Sequence, residues 1–335
     1  MGKDYALTSS PRVRQQIAFL LFGITALAAV ILVAVNSSEI GSFAAQAARA
    51  EPIWLILAFL SQILTYFCDA AAWKIVLHRL GSSLTMLKLL PLSVAKLFAD
   101  QAIPSAGVSG GAFFLYALGR RNVPQEAAFS VFAFVSLAFL FAFLASAMVS
   151  FFSIADGGDV GSDLVDSIAT FAAIILFGVL AIISFLLFQP RKPPKWLAKI
   201  PAGERGFELI AAAAENIKSN PLLFLKTSLI QLTERILDGV TLWLAIYAVD
   251  GSASFYLCFI AVVLASVAAT IAPIPMGLGS FEGGMIATLT AAGVDVENAL
   301  TATLIYRGLS LWLPLLPGFF IIQREMLRIK SDPAV

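Results

Sequence analysis

The residues best able to do chemistry are ionisable side chains set inside otherwise apolar stretches: Asp69, Lys96, Asp100, Glu234, Arg235, Asp238, Glu282 and Arg307. A charge at the centre of a bilayer costs roughly 3 kcal/mol, so such groups mark a polar path, a relay or a locking ion pair. Glu234 and Asp238 stand four apart, which puts both carboxylates on one helical face with Arg235 about 100° around it. Two acids on one face ionise together only at a cost, so one is expected to hold a proton or to face a cation. The alternative for Arg235 is a structural pair with an acid on a neighbouring helix.

Two Pro/Gly-rich breaks form the second group. They read Ile103-Pro104-Ser105-Ala106-Gly107-Val108-Ser109-Gly110-Gly111 and Pro273-Ile274-Pro275-Met276-Gly277-Leu278-Gly279-Ser280-Phe281-Glu282-Gly283-Gly284. Pro removes a backbone donor and Gly loosens a helix, so neither stretch reads as a continuous span. Ser109 and Ser280 stand where helices would restart, as N-caps. Gly107, Gly110, Gly277 and Gly279 would let backbone amides approach a ligand, and a helix N-terminus there would favour an anion. Glu282 and Arg307 could pair with each other, or Arg307 could hold a phosphate. The competing role for the glycines is close helix packing.

Several chemistries drop out. The chain has one histidine, His78, so zinc motifs that need two are excluded. Gly107-Val108-Ser109-Gly110 spells a rhomboid-type Gly-x-Ser-Gly, but that reaction needs a histidine after the serine, and His78 precedes it. No nucleophile and base stand in convincing register, so no enzyme, cofactor or metal is expected. Cys68 and Cys258 lie in apolar stretches and read as packing thiols. With 22 Lys+Arg against 21 Asp+Glu the net charge is +1, which gives no field for nucleic acid.

The elements that must position these residues cross a membrane. Of the 335 residues 59% are hydrophobic and 13% charged, and the mean hydropathy is +0.90; soluble domains have about 45–50% apolar and about 25% charged residues. The expected fold is all-α and integral to the membrane. Six full transmembrane helices are read at Ile17–Val35, Ile53–Trp73, Ala127–Phe152, Ile168–Phe188, Leu222–Val249 and Ala299–Ile322. Ile17–Val35 is too long for the apolar core of a signal peptide and is expected to be retained. Leu87–Leu118 and Phe255–Ala292, each broken near its middle, are read as two re-entrant helical hairpins. If each hairpin returns to its own side and the N-terminus is cytoplasmic, most of the 22 basic residues fall in cytoplasmic segments. The Asp156, Asp159, Asp163 and Asp166 loop then lies outside, and both termini are cytoplasmic. Within the basic linker 189–220 a solvated connector is expected, with a short interfacial helix over Arg205–Ser219 as the alternative.

The chain also repeats. Gln62 and Asp69 recur as Gln231 and Asp238, Ile103-Pro104 as Ile274-Pro275, and Val123 and Ala128 as Val294 and Ala299, in order and at a nearly constant offset. Each half, 1–166 and 167–335, is helix, helix, hairpin, helix, and the topology above gives the halves opposite orientation. Inverted repeats with broken helices are the architecture of secondary transporters, with the site where the breaks meet.

The run from Asp100-Gln101 through Pro104, Gly107 and Gly110-Gly111 to Val123-Pro124, with Pro273, Pro275, Gly277, Gly279, Glu282 and the later Tyr306-Arg307, resembles the flippase-like family. That family includes the membrane part of lysylphosphatidylglycerol synthases and the hopanoid-biosynthesis-associated membrane proteins. The resemblance implies a bacterial inner-membrane protein that moves a lipid or lipid-linked molecule between leaflets, with Glu282 and Arg307 functional. Few polar residues follow Gln323, so the synthases' aminoacyl-transfer domain and its activity are not expected. Arg235, Arg307 and Lys96 favour a membrane lipid with an anionic headgroup as partner. The competing reading is a non-transporting accessory subunit bound to a lipid-biosynthetic enzyme.

Overall fold

The computed structural model describes residues 50–102, 108–156, 203–271 and 275–327, with helical positions 177, 178 and 184. The expected span Ile17–Val35, most of Ile168–Phe188, the Pro-rich part of the linker and Gly107 lie outside the described residues. All regular structure among the described residues is helical.

Helix α1 (Pro52–Arg79) starts with a proline in its first turn, where the missing N–H would have had no partner. Its faces are reversed relative to a soluble helix. Ile53, Ile56, Leu60, Leu64 and Phe67 are exposed, while Ser61, Gln62 and Thr65 are buried. In water that arrangement is unfavourable; in a bilayer the lipid solvates the apolar face and the protein interior keeps the polar one. Helices α2 (Met86–Ala102) and α3 (Val108–Gly119) pack on one another across the first break. Next comes α4 (Gln125–Asp156), a long apolar helix. An amphipathic helix α5 (Gly203–Ser219) precedes α6 (Pro221–Ala248). Across the second break, α7 (Phe255–Ile271) and α8 (Ser280–Ala291) pack together, with a 3₁₀ turn (Pro275–Gly277) between them. The last span is α9 (Val296–Arg307), a π-helical turn (Gly308–Trp312) and α10 (Leu313–Leu327). The π turn leaves the Leu309 carbonyl free to accept the Tyr66 hydroxyl at 3.1 Å, tying this span to α1.

Three helical stretches among the described residues are long and apolar enough to cross a membrane: Pro52–Arg79, Gln125–Phe152 and Val296–Glu325. Helix α6 has the same 28-residue length as α1 but carries Glu234, Arg235 and Asp238 at its middle. The protein is thus a multi-pass membrane protein, all-helical among the described residues.

Contacts at the helix ends fix the arrangement. The Glu51 N–H donates to the Ala248 carbonyl at 3.0 Å, and Arg79 Nε donates to Asn220 Oδ1 at 2.9 Å, so α1 and α6 are antiparallel neighbours along their whole length. Arg121, just past α3, forms a two-pronged pair with Glu325 near the end of α10, at 2.8 and 3.2 Å. Gly251, just past α6, lies against Asn298 at the start of α9. The α2–α3 unit therefore leaves from and returns to the end of the bundle that holds Arg79, Arg121 and Lys218. The α7–α8 unit leaves from and returns to the opposite end, where Glu51, Asp250, Asp295 and Glu297 stand with no Lys or Arg among the described residues.

Among the described residues the interior holds two large apolar clusters and a smaller one of Ala147, Phe151, Phe259 and Val263. One large cluster joins Trp73, Leu77, Leu89, Leu92, Phe114, Leu118 and Phe134. The other joins Leu242, Ile246, Cys258, Val262, Met285, Leu289 and Tyr306. The linker expectation is corrected. Its second part is not a solvated connector: α5 packs on α4 and α6, and buries Ala214 and Ile217 on its apolar side. An amphipathic stripe lowers its free energy by finding a groove, and the side of α4 supplies one.

Candidate functional site

The second break is held by a carboxylate. Helix α8 begins after Gly279, whose N–H donates to Glu282 Oε2 at 2.7 Å. The other carboxylate oxygen, Oε1, takes the Arg307 Nε–H at 2.5 Å, and Arg307 also donates to the Met276 carbonyl at 2.8 Å. The Arg307 guanidinium lies 4.7 Å from the centre of the Phe281 ring, which in turn stacks on Tyr306. Arg307 is 5% exposed. Met276 has φ +61, a conformation that costs a non-glycine residue about 1 kcal/mol or more; its carbonyl bond to Arg307 is what holds it. The pair with Glu282 is one of the two alternatives open for Arg307.

The first break is held differently. Asp100, at the end of α2, accepts the Gly110 N–H at the start of α3 at 2.9 Å and pairs with Lys96 one turn back on its own helix, also at 2.9 Å. A Cβ on residue 110 would collide with the Asp100 carboxyl group, so glycine is required there by the closeness of the acid.

Two expectations about the serines are corrected. Ser109 Oγ donates to the Ala99 carbonyl at 2.8 Å and Ser280 Oγ donates to the Gly277 carbonyl at 3.1 Å. Gly279, and not Ser280, is the N-cap of α8, and Ser109 lies inside α3. The carboxylates of Asp100 and Glu282 take the helix-start N–H groups instead, because an anion bonds them more strongly than a hydroxyl and also offsets the helix dipole. Gly277 and Gly279 both hold positive φ at this turn.

The third part is a charged layer in the middle of the bundle. Arg235 pairs with Glu234 Oε1 at 2.8 Å and with Asp238 Oδ2 at 3.3 Å, and its guanidinium lies 5.4 Å from the Phe139 ring centre. Asp69 accepts the Trp73 indole N–H at 3.1 Å. The charges of Asp100, Asp69 and Glu234 all act on Lys96, which ties the first break to this layer. The second break reaches it too, since the 3₁₀ turn touches α2. The structure thus gathers every described candidate, Asp69, Lys96, Asp100, Glu234, Arg235, Asp238, Glu282 and Arg307, around the two breaks and the α1–α6 pair. Lys96, Arg235 and Arg307 are each already matched with a carboxylate. Among the described residues no three His, Cys, Asp or Glu side chains converge as metal ligands would.

Sequence reasoning used Gln62 and Gln231 as markers of the repeat and missed them as members of the site. Both are almost wholly buried, 3% and 2% exposed, and each leaves its Oε1 without a hydrogen-bond donor. The Gln62 side chain lies against Asp238. Because α1 and α6 are antiparallel, with Ser61 Oγ donating to the Leu237 carbonyl at 3.0 Å, Gln62 is level with Asp238 and Asp69 is level with Gln231. A polar amide recurring inside an apolar run was the signal that could have found them.

The model of the lysylphosphatidylglycerol synthase TM region family matches residues 16–318 of the chain. The UPF0104 membrane protein MJ1595 of Methanocaldococcus jannaschii is 26% identical over 299 residues, covering 82% of this chain and 87% of the relative. The UPF0104 membrane protein MJ1078 of the same organism is 26% identical over 217 residues, covering 63% of this chain and 85% of the relative.

Proposed function

We propose that this chain, which belongs to the lysylphosphatidylglycerol synthase TM region family, is a flippase-like transporter that carries a lipid or lipid-linked molecule between leaflets of a cytoplasmic membrane. The observation that carries the reading is the charged layer itself. Two broken helix pairs and the central α1–α6 pair bring charged groups into the middle of a bundle whose outer surface is apolar. A static scaffold has no use for that many buried charges, whereas a polar headgroup crossing oil needs them. The chain acts as a carrier and not as a catalyst in this reading.

In the same reading α2–α3 and α7–α8 are re-entrant hairpins and the halves are inverted repeats. The return of each pair to its own end of the bundle supports this, as do the level pairs Gln62 with Asp238 and Gln231 with Asp69. The basic end of the bundle is then cytoplasmic, and the acidic end faces outward. An anionic headgroup binds by replacing a carboxylate partner of a buried cation, with Arg307 and Arg235 the two available positions.

Reconstitution of the purified chain into phosphatidylethanolamine and phosphatidylglycerol vesicles tests the proposal. Lipids extracted with the purified protein and identified by mass spectrometry supply the substrate, added back with a quenchable label. The protein is expected to speed exchange of that lipid between leaflets, and Arg307→Ala to remove the effect. Exchange no faster than in protein-free vesicles, for every co-purifying lipid, would leave the chain without the proposed activity.

A further inference from the structure

We propose that Glu234 and Gln231 form a proton-binding site at the middle of α6, in which Glu234 carries a proton on Oε2 and donates it to Gln231 Oε1. The argument begins with hydrogen-bond accounting. Glu234 Oε1 is bonded to Arg235, while Oε2 and Gln231 Oε1 are both buried without a hydrogen-bond partner, and Arg235 Nε, a buried donor beside them, is bonded to neither. The two residues stand three apart on one helix, so their side chains are neighbours on one face. Two buried acceptors on one helical face, each lacking a donor, are both unfavourable. One proton removes both deficits. It forms an O–H bond at Oε2, taken from water, and that O–H donates to the amide oxygen. No other change of bonding is needed.

The charges around the site point the same way. On α6 itself Arg235 is shared between Glu234 and Asp238. From α1, Asp69, Tyr66 and Cys68 face it, and from α2 Lys96, itself paired with Asp100. From α9, Tyr306 acts on Arg235. The packed middles of α4 and α7 bring no charged side chain. Asp69, Asp100, Glu234 and Asp238 thus answer to only Lys96 and Arg235, and the layer lacks positive charge that a proton supplies. Gln231 is level with Asp69, so movement between α1 and α6 changes the surroundings of this proton. In the transport reading, on which this use of the site rests, proton gain and loss at Glu234 is the energy input.

Infrared spectroscopy of the purified full chain tests the site without reference to transport. At neutral pH the wild type should show a protonated carboxylic acid band that is absent in Glu234→Gln and kept in Asp238→Asn. Gln231→Leu should keep the band and move it to higher frequency, because the acid loses its acceptor. A wild type without the band, or a band that survives in Glu234→Gln, overturns the proposal. So does a band that vanishes on adding sodium at constant pH, since a metal cation would then lie between these oxygens. Vesicles test the coupling separately. A gradient of one pH unit should bias the label between leaflets by up to about tenfold in the wild type and not in Glu234→Gln. Wild-type vesicles that move no lipid would refute the transport reading and leave the infrared result standing.

Discussion

The two breaks solve one problem in two ways. Each interrupts a helix inside the bundle and leaves N–H groups at the restart that need an acceptor. At the first, Asp100 comes from the helix before the break and is neutralised by Lys96 of the same helix. At the second, Glu282 comes from the helix after the break and is neutralised by Arg307 from the next span. The first restart is thus braced within one helix pair, and the second is cross-tied to a different helix and to the carbonyl of Met276. The first pair meets the last span farther on, where Arg121 pairs with Glu325, so the two breaks differ in how the restart itself is held.

Arg307→Ala should break this comparison most severely. It strands the Glu282 carboxylate and the Met276 carbonyl together, and removal of one partner of a buried pair costs about 3 kcal/mol or more. Thermal unfolding of the detergent-purified protein measures it. Gly110→Ala comes next, at about 2 kcal/mol, because the new methyl group meets the Asp100 carboxyl group. Combining it with Asp100→Ala should recover part of that loss, so the two changes will be non-additive in the same assay. Lys96→Met should have the smallest effect, since the Lys96–Asp100 pair lies within one helix, is 23% and 19% exposed, and Asp100 keeps the Gly110 N–H. Equal losses for Lys96→Met and Arg307→Ala would erase the distinction between a local brace and a cross-tie.

Much of the architecture was legible in order along the chain. The second break is visible because Pro and Gly both weaken a helix, and the structure places a 3₁₀ turn at Pro275–Gly277 with the helix resuming at Ser280 and taking in Gly283 and Gly284. The span starting at Pro52 is visible from its apolar run. The ion pair of Glu282 with Arg307 is one of two alternatives open in the sequence, because spacing cannot say which neighbour a guanidinium will reach. The serines were misread because a hydroxyl and a carboxylate both suit a helix start. Only the fold shows that Asp100 and Glu282 arrive first. Helix α5 was missed as a packed element because its partner groove on α4 comes from a distant part of the chain. Gln62 and Gln231 were seen as a repeat, and their unmet oxygens appear only once their surroundings are built.

By itself the sequence determined that this chain lives in a membrane, that it is helical, where two helices break, and which charges are kept among apolar residues. Those follow from local physics: hydropathy over a span, the missing donor of proline, and the cost of a charge in oil. Tertiary structure alone decided who partners whom. It set α1 antiparallel to α6, placed Arg307 on Glu282, and left Glu234 Oε2 and Gln231 Oε1 buried without a donor. Pairing depends on distances between segments far apart in the chain, and those exist only after the helices have packed.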